Sequence, residues 1–214
     1  MLLPEGMSDY PVQVEVVSPP HFERVQLLLR VVLAIVLGWF GITAGWLVCI
    51  LFGVLPVIAA IAISTTDSAK YAEETGPRVW KILAWLLQMS AYMMMLVDRV
   101  PTGGDYPVRV NIRFTGEATP GSALMRLLRS LPSGFVLCVL WFVSGVFWLV
   151  AALLVLIGSP MPASILAFQR GVLRWQARLV AYHASLVEEY PPFSFDTEDV
   201  NQLPRYPSAA DAAP

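Results

Sequence analysis

The chain has 214 residues, of which 57% are hydrophobic and only 14% charged, with a net charge of −2 and a mean hydropathy of +0.63. A soluble domain is nearer 45–50% apolar and about 25% charged. All 30 charges fall outside residues 31–66 and 130–169; this pattern excludes an ordinary soluble globule, a disordered chain and a nucleic-acid binder, and indicates an integral membrane protein.

Residues 1–9 read as an N-terminal tail. Residues 1–23 hold no apolar run of signal-peptide length and include Pro4, Pro11, Pro19 and Pro20. The first apolar stretch is therefore expected to act as an uncleaved anchor. Met7 is an alternative start. Arg24 and Arg30 precede that stretch and favour a cytoplasmic N-terminus. In YPVQVEVV (10–17), Val12, Val14 and Val16 alternate with Gln13 and Glu15, which predicts a strand with one wet face. A first span follows at about 38–63, with Pro56 inside it, and a return helix at about 79–97. Gly103-Gly104 marks a flexible linker. YPVRVNIRF (106–114) repeats the strand pattern, and a second span runs from about 133 to 157. Gly158-Ser159-Pro160-Met161-Pro162 ends it, because proline lacks the N–H that a helix needs. An amphipathic return helix follows at about 163–187. From 196 to 214 the chain is acidic, then rich in proline and alanine, and is expected to be disordered.

The chain also resembles itself. Tyr10-Pro11-Val12 recurs as Tyr106-Pro107-Val108, and at the same offset of 96 Val14 matches Val110, Arg30 matches Arg126 and Gly38 matches Gly134. Beyond the span the offset is 90: Trp85 matches Trp175, Ala91-Tyr92 matches Ala181-Tyr182, Leu96-Val97 matches Leu186-Val187, and Pro101 matches Pro191. Ordered matches of this kind predict a tandem duplication, with units 10–101 and 102–195. The expected fold is an all-α integral membrane protein with short β-strand segments, each unit running strand, transmembrane helix, amphipathic return helix.

Two strands, one per unit, are expected to pair, since a lone strand leaves its backbone groups without partners. Pairing requires an even number of crossings between them, so the first return helix is expected to cross. The second either crosses or lies embedded at the surface. Its Arg170, Arg174 and Arg178 form one stripe opposite Ile165, Phe168, Val172, Trp175 and Leu179. One arginine at mid-bilayer costs at least about 2.5 kcal/mol, so an interfacial helix with its arginines among headgroups is the cheaper placement. These three arginines are the candidate contact for an anionic lipid headgroup or a partner's acidic patch.

No catalytic constellation emerges. The two spans contain no Asp, Glu, His, Lys or Arg, which disfavours an ion-coupled transporter. Walker A, GxGxxG, HExxH and GxSxG motifs are missing. No cofactor and no metal are expected. Cys49 and Cys138 read as small apolar residues, and Gly38, Gly41 and Gly45 permit close helix approach. Trp39, Trp46, Trp141 and Trp148 suit either the interface or helix packing. His21 belongs to a solvated loop, and His183 to the apolar side of the second return helix. Met93-Met94-Met95 reads as helix packing. Glu188-Glu189, with Asp98 at the matching place, reads as a solvated helix end that the helix dipole does not favour.

The second unit, about 106–195, resembles the bacterial membrane family called domain of unknown function 4389. The resemblance rests on Tyr106, Pro107, Arg174, Trp175, Arg178, Tyr182, Tyr190, Pro191, Pro192 and Phe193. The first unit departs from that pattern, with Ala84 and Gln88 in place of the arginines and Val100-Pro101-Thr102 in place of the closing segment. The resemblance implies a bacterial membrane location and brings no catalytic residues. The expected function is a non-enzymatic scaffold or accessory subunit of the bacterial cytoplasmic (inner) membrane, multi-pass, with a membrane protein partner or a second copy of itself. The alternative is a lipid-handling or transport-associated protein that uses the arginine stripe.

Overall fold

A computed structural model describes residues 10–39, 44–66, 70–102, 106–115 and 119–193, with the side chains of 44–51 excepted. The elements are β1 (Val12–Val16), α1 (Arg24–Trp39), α2 (Ala44–Thr66), a π-helical turn (Tyr71–Thr75), α3 (Gly76–Met93), β2 (Val108–Ile112), α4 (Pro120–Arg129), α5 (Leu131–Ile157) and α6 (Ala163–His183). The N- and C-terminal tails, Gly41, Gly103 and Gly104, and the side chains of Trp46 and Cys49 lie outside the described residues.

The two strands pair antiparallel, with Val14 opposite Val110 at the centre and Glu15 opposite Arg109. Val12, Val14 and Val16 are buried while Glu15 is exposed, so the period-two pattern selects which face turns inward. The sheet rests on α6 through β1 and on α3 through β2. These two helices pack on each other, and α6 in turn carries α2, α4 and α5.

Local chemistry explains the helix ends. Thr119 Oγ1 accepts from the Ser122 N–H, and Ser122 Oγ accepts from the Thr119 N–H, with Pro120 at the first helical position of α4. α5 stops at Gly158, whose φ of 78° suits a residue without Cβ. α3 and α6 stop by a shared device. Leu96 N donates to Ala91 O and Met95 N to Tyr92 O; Leu186 N donates to Ala181 O and Ser185 N to Tyr182 O. These are the two bonds of a Schellman turn, and the left-handed position falls on Met95 (φ 58°) and Ser185 (φ 56°). Both return helices therefore end about four residues before the sequence pattern suggests, because the apolar residues after the turn pack without being helical.

One expectation is supported in part and one needs correction. Of the two spans, only α5 is long and apolar enough to cross a membrane among the described residues. The first apolar stretch contains α2 (Ala44–Thr66), of which the part with described side chains, Phe52–Thr66, is shorter than a span. Multi-pass topology accordingly finds no support. α6 is not a surface helix with one wet stripe: every residue from Gln169 to Val187 is buried, because β1, α2, α3, α4 and α5 surround it. A helical wheel records only the helix's own composition, and here neighbours cover the polar side as well.

Candidate functional site

The arginines of α6 meet β1 in reverse order along the strand. Arg170 Nη2 donates to Ser18 Oγ at 2.9 Å, Arg174 Nε points at Val14 O at 3.4 Å, and the Arg178 guanidinium carbon lies 5.3 Å from the Tyr10 ring centroid. All three side chains are buried (7%, 8% and 4% exposed). The structure thus brings the sequence-predicted residues together, but turned toward the strand and away from the protein surface. Buried guanidinium groups require hydrogen-bond acceptors; β1 supplies the Val14 carbonyl, and the segment just after it the Ser18 hydroxyl. Burial pushes the Tyr10 phenol upward, and Arg178 beside it opposes part of that rise.

Two further arginines, Arg30 on α1 and Arg126 on α4, occupy equivalent clasps. Arg30 Nε donates to Tyr92 O (2.8 Å), and its Nη2 donates to Val97 O (2.6 Å) and Asp98 Oδ1 (3.0 Å). Arg126 Nη1 donates to Tyr182 O (2.9 Å) and Val187 O (2.6 Å), and its Nη2 to Glu188 Oε1 (2.8 Å). Each guanidinium also lies over a tyrosine ring, 4.4 Å from Tyr92 and 4.6 Å from Tyr182. The positive charge sits where the last carbonyls of α3 and α6 concentrate negative potential. The recurrence of Arg30 as Arg126 was the signal in the sequence, but its role appears only when both helix ends are in place. Asp98 also accepts from the Glu23 N–H at 2.6 Å. Asp98 and Glu188 thus have a structural partner that the sequence pattern left open.

The tyrosines that open the strands cross between the two halves of the chain. Tyr10 donates to Glu189 O at 2.9 Å, and Tyr106 to Arg99 O at 2.7 Å. Burial pushes Tyr106 upward as well.

His183, only 2% exposed, has its Nε2 2.6 Å from Ser130 Oγ. Ser130 Oγ also lies 3.1 Å from Leu127 O, so its single hydroxyl proton goes to that carbonyl or to Nε2 according to the imidazole tautomer. The Nδ1 atom is buried without a hydrogen-bond partner, and Phe52 packs edge-on against the ring at 4.7 Å. Desolvation, reinforced by the Arg126 charge, lowers the imidazole pKa to about 4. His21 is exposed.

Helix α5 is joined to its neighbours by polar contacts. Ser144 Oγ bonds Gln169 Oε1, and Gln169 Nε2 donates to Ser144 O at 3.2 Å. Trp148 Nε1 donates to Met93 O at 2.9 Å. At its start, Ser133 bonds the Tyr190 hydroxyl. Tyr190 meets Tyr182 edge-on and Phe193 at a tilt, and Phe193 meets Trp175 edge-on, so the segment after α6 folds back onto it. Trp39 and Cys138 are exposed, and Gly38 meets no neighbouring atom that a Cβ would touch. Among the described residues, no group of three or more His, Cys, Asp or Glu is placed to hold a metal ion.

The segment from α4 to the closing aromatic residues carries a known signature. Residues 120–194 match the family described as Domain of unknown function (DUF4389). That match supports the family for the second half of the chain, and it takes in α4, α5, α6 and the aromatic closure. No curated protein and no solved structure matches the chain.

Proposed function

We propose that this chain is a non-enzymatic scaffold or accessory subunit of a bacterial inner-membrane complex, with its polar side and N-terminus in the cytoplasm. The observation that carries the reading is the distribution of exposed apolar side chains. Val25, Leu28, Val32, Ile35 and Trp39 on α1, Ile58 and Ile61 on α2, and Phe135, Phe142, Leu149 and Leu153 on α5 are 46–87% exposed. Patches of this extent belong to a membrane or a protein partner. The arginines and His183 are engaged inside the fold, which fits a structural role for them.

We further read the chain as a tandem duplication. What supports this is the set of equivalent contacts at constant offsets: Val14 opposite Val110, Arg30 and Arg126 on matching carbonyls, and the two Schellman turns. The crossed tyrosines make each half complete the other.

The test is membrane fractionation of the tagged chain, followed by pull-down in native nanodiscs with mass spectrometry of proteins and lipids. A reproducible, near-stoichiometric protein in the membrane fraction is the expected result. Recovery from the soluble fraction, or from membranes with no protein partner, refutes the scaffold reading. The lipid-binding alternative requires Arg170, Arg174 and Arg178 to leave β1 for headgroups. Enrichment of an anionic lipid that is lost on triple substitution to Gln would favour it.

A further inference from the structure

We infer that α5, although long enough to cross a bilayer, lies in the plane of one leaflet, so that the chain is held on a lipid surface by a single apolar face. This rests on the membrane reading above and specifies its geometry. Length does not decide the matter: 27 residues at 1.5 Å each give about 40 Å, more than the roughly 30 Å of hydrocarbon. What stands beside the helix decides it.

Polar structure accompanies α5 from end to end. Tyr190 meets it at Ser133, and His183 reaches Ser130 just before it. Gln169 meets it at Ser144. The portion of α6 between Gln169 and His183 therefore runs alongside residues 130–144, and that portion carries Arg170, Arg174 and Arg178 with β1 on them. Farther along, Leu27 and Met95 pack with Ala151 and Val155. Arg30, with its Asp98 partner, stands one helical turn from Leu27. At the end, a Cβ on Gly158 would lie 3.5 Å from Arg24 Nη2. No stretch of about 20 residues of α5 is free of such neighbours. A crossing α5 would carry the two-stranded sheet into the hydrocarbon, with Glu15, Arg109, Asn111 and Arg113 exposed on it. Lipid does not tolerate open strand edges or exposed charged side chains.

The in-plane placement satisfies both halves of the molecule. The sheet rests on α3 and α6, and α5 and α2 also pack on α6; the sheet carries exposed charges, whereas α5 and the described side chains of α2 expose apolar residues and no charge. α1, α2, α4 and α5 contain no Asp or Glu. Their exposed charges are Arg24 beside the end of α5 and Arg129 just before its start. A cation at each end of an apolar helix fits an anionic headgroup layer, with the helix between them in the acyl boundary.

Phe135, Phe142, Leu149 and Leu156 are all exposed, at 73%, 75%, 61% and 54%. Seven-residue spacing keeps them on one face of α5. Each is replaced singly by Cys in a chain carrying Cys49→Ala and Cys138→Ala, spin-labelled, and reconstituted into vesicles of phosphatidylcholine and phosphatidylglycerol. Depth is read from accessibility to oxygen against a water-soluble nickel chelate. In-plane placement gives four depths within about 5 Å of each other, whereas the outer labels are about 32 Å apart along the axis. Two deep central labels between two shallow end labels mean that α5 crosses; that overturns the inference and leaves the membrane reading standing. Strong nickel access at all four positions, unchanged without vesicles, overturns both. Immobilised labels screened from both reagents mean that protein covers this face, which overturns the lipid assignment alone.

Discussion

Replacing Arg30 by Met keeps the length of the side chain and removes its charge and donors. Arg30 is fully buried and makes three charge-assisted hydrogen bonds, to Tyr92 O, Val97 O and Asp98. Tyr92 O still receives the Met95 N–H; Val97 O and the Asp98 carboxylate each lose the arginine donor. Removing one member of a buried pair typically costs about 3–5 kcal/mol, a large share of the roughly 5–15 kcal/mol that holds a domain folded. At about 2–4 °C per kcal/mol for a chain of this size, the midpoint should fall by roughly 6–20 °C. Arg30→Lys keeps the charge but not the planar fork and should fall between the two. The carboxylates should differ. Asp98 is 12% exposed and also caps the Glu23 N–H, whereas Glu188 is 46% exposed. Asp98→Asn should therefore cost about 1–2 kcal/mol, and Glu188→Gln at most about 1 kcal/mol, because solvent screens that pair. Thermal unfolding in mild detergent, followed by far-ultraviolet circular dichroism, measures all four. A shift under 2 °C for Arg30→Met, or a larger loss for Glu188→Gln than for Asp98→Asn, would refute the reasoning.

Acidification should destabilise the fold through His183. Its pKa is about 4 when folded and about 6.5 when unfolded, so the unfolded chain binds the proton first. Its contribution is full above pH 6.5 and is lost progressively down to pH 4, by up to about 3 kcal/mol; His183→Leu should flatten the stability profile over that window, and an unchanged slope would show that another group is responsible. Ser185→Gly should stabilise by about 1 kcal/mol. It relieves a left-handed backbone position and removes a buried hydroxyl without a hydrogen-bond partner, and a lower unfolding midpoint would contradict this. Ser144→Ala and Gln169→Leu should each cost about 1–3 kcal/mol and the double variant much less than their sum, since removing both partners leaves no buried polar orphan. Strict additivity in that cycle would mean that the pair is not coupled.

The sequence alone determined the local structure that depends on neighbours along the chain. Alternation placed β1 and β2, and the need to satisfy their backbone groups led to the expectation that they pair. The charge-free stretch and Gly158 located α5 to within two residues at each end. Tertiary structure decided what depends on contacts between distant segments. It buried α6 on every side and turned Arg170, Arg174 and Arg178 against β1. It also gave Arg30 and Arg126 their carbonyl acceptors. A periodicity argument sums the preferences of one helix for water or oil. The burial of an arginine depends on which backbone oxygens arrive opposite it, and those belong to helix ends more than 50 residues away in the chain.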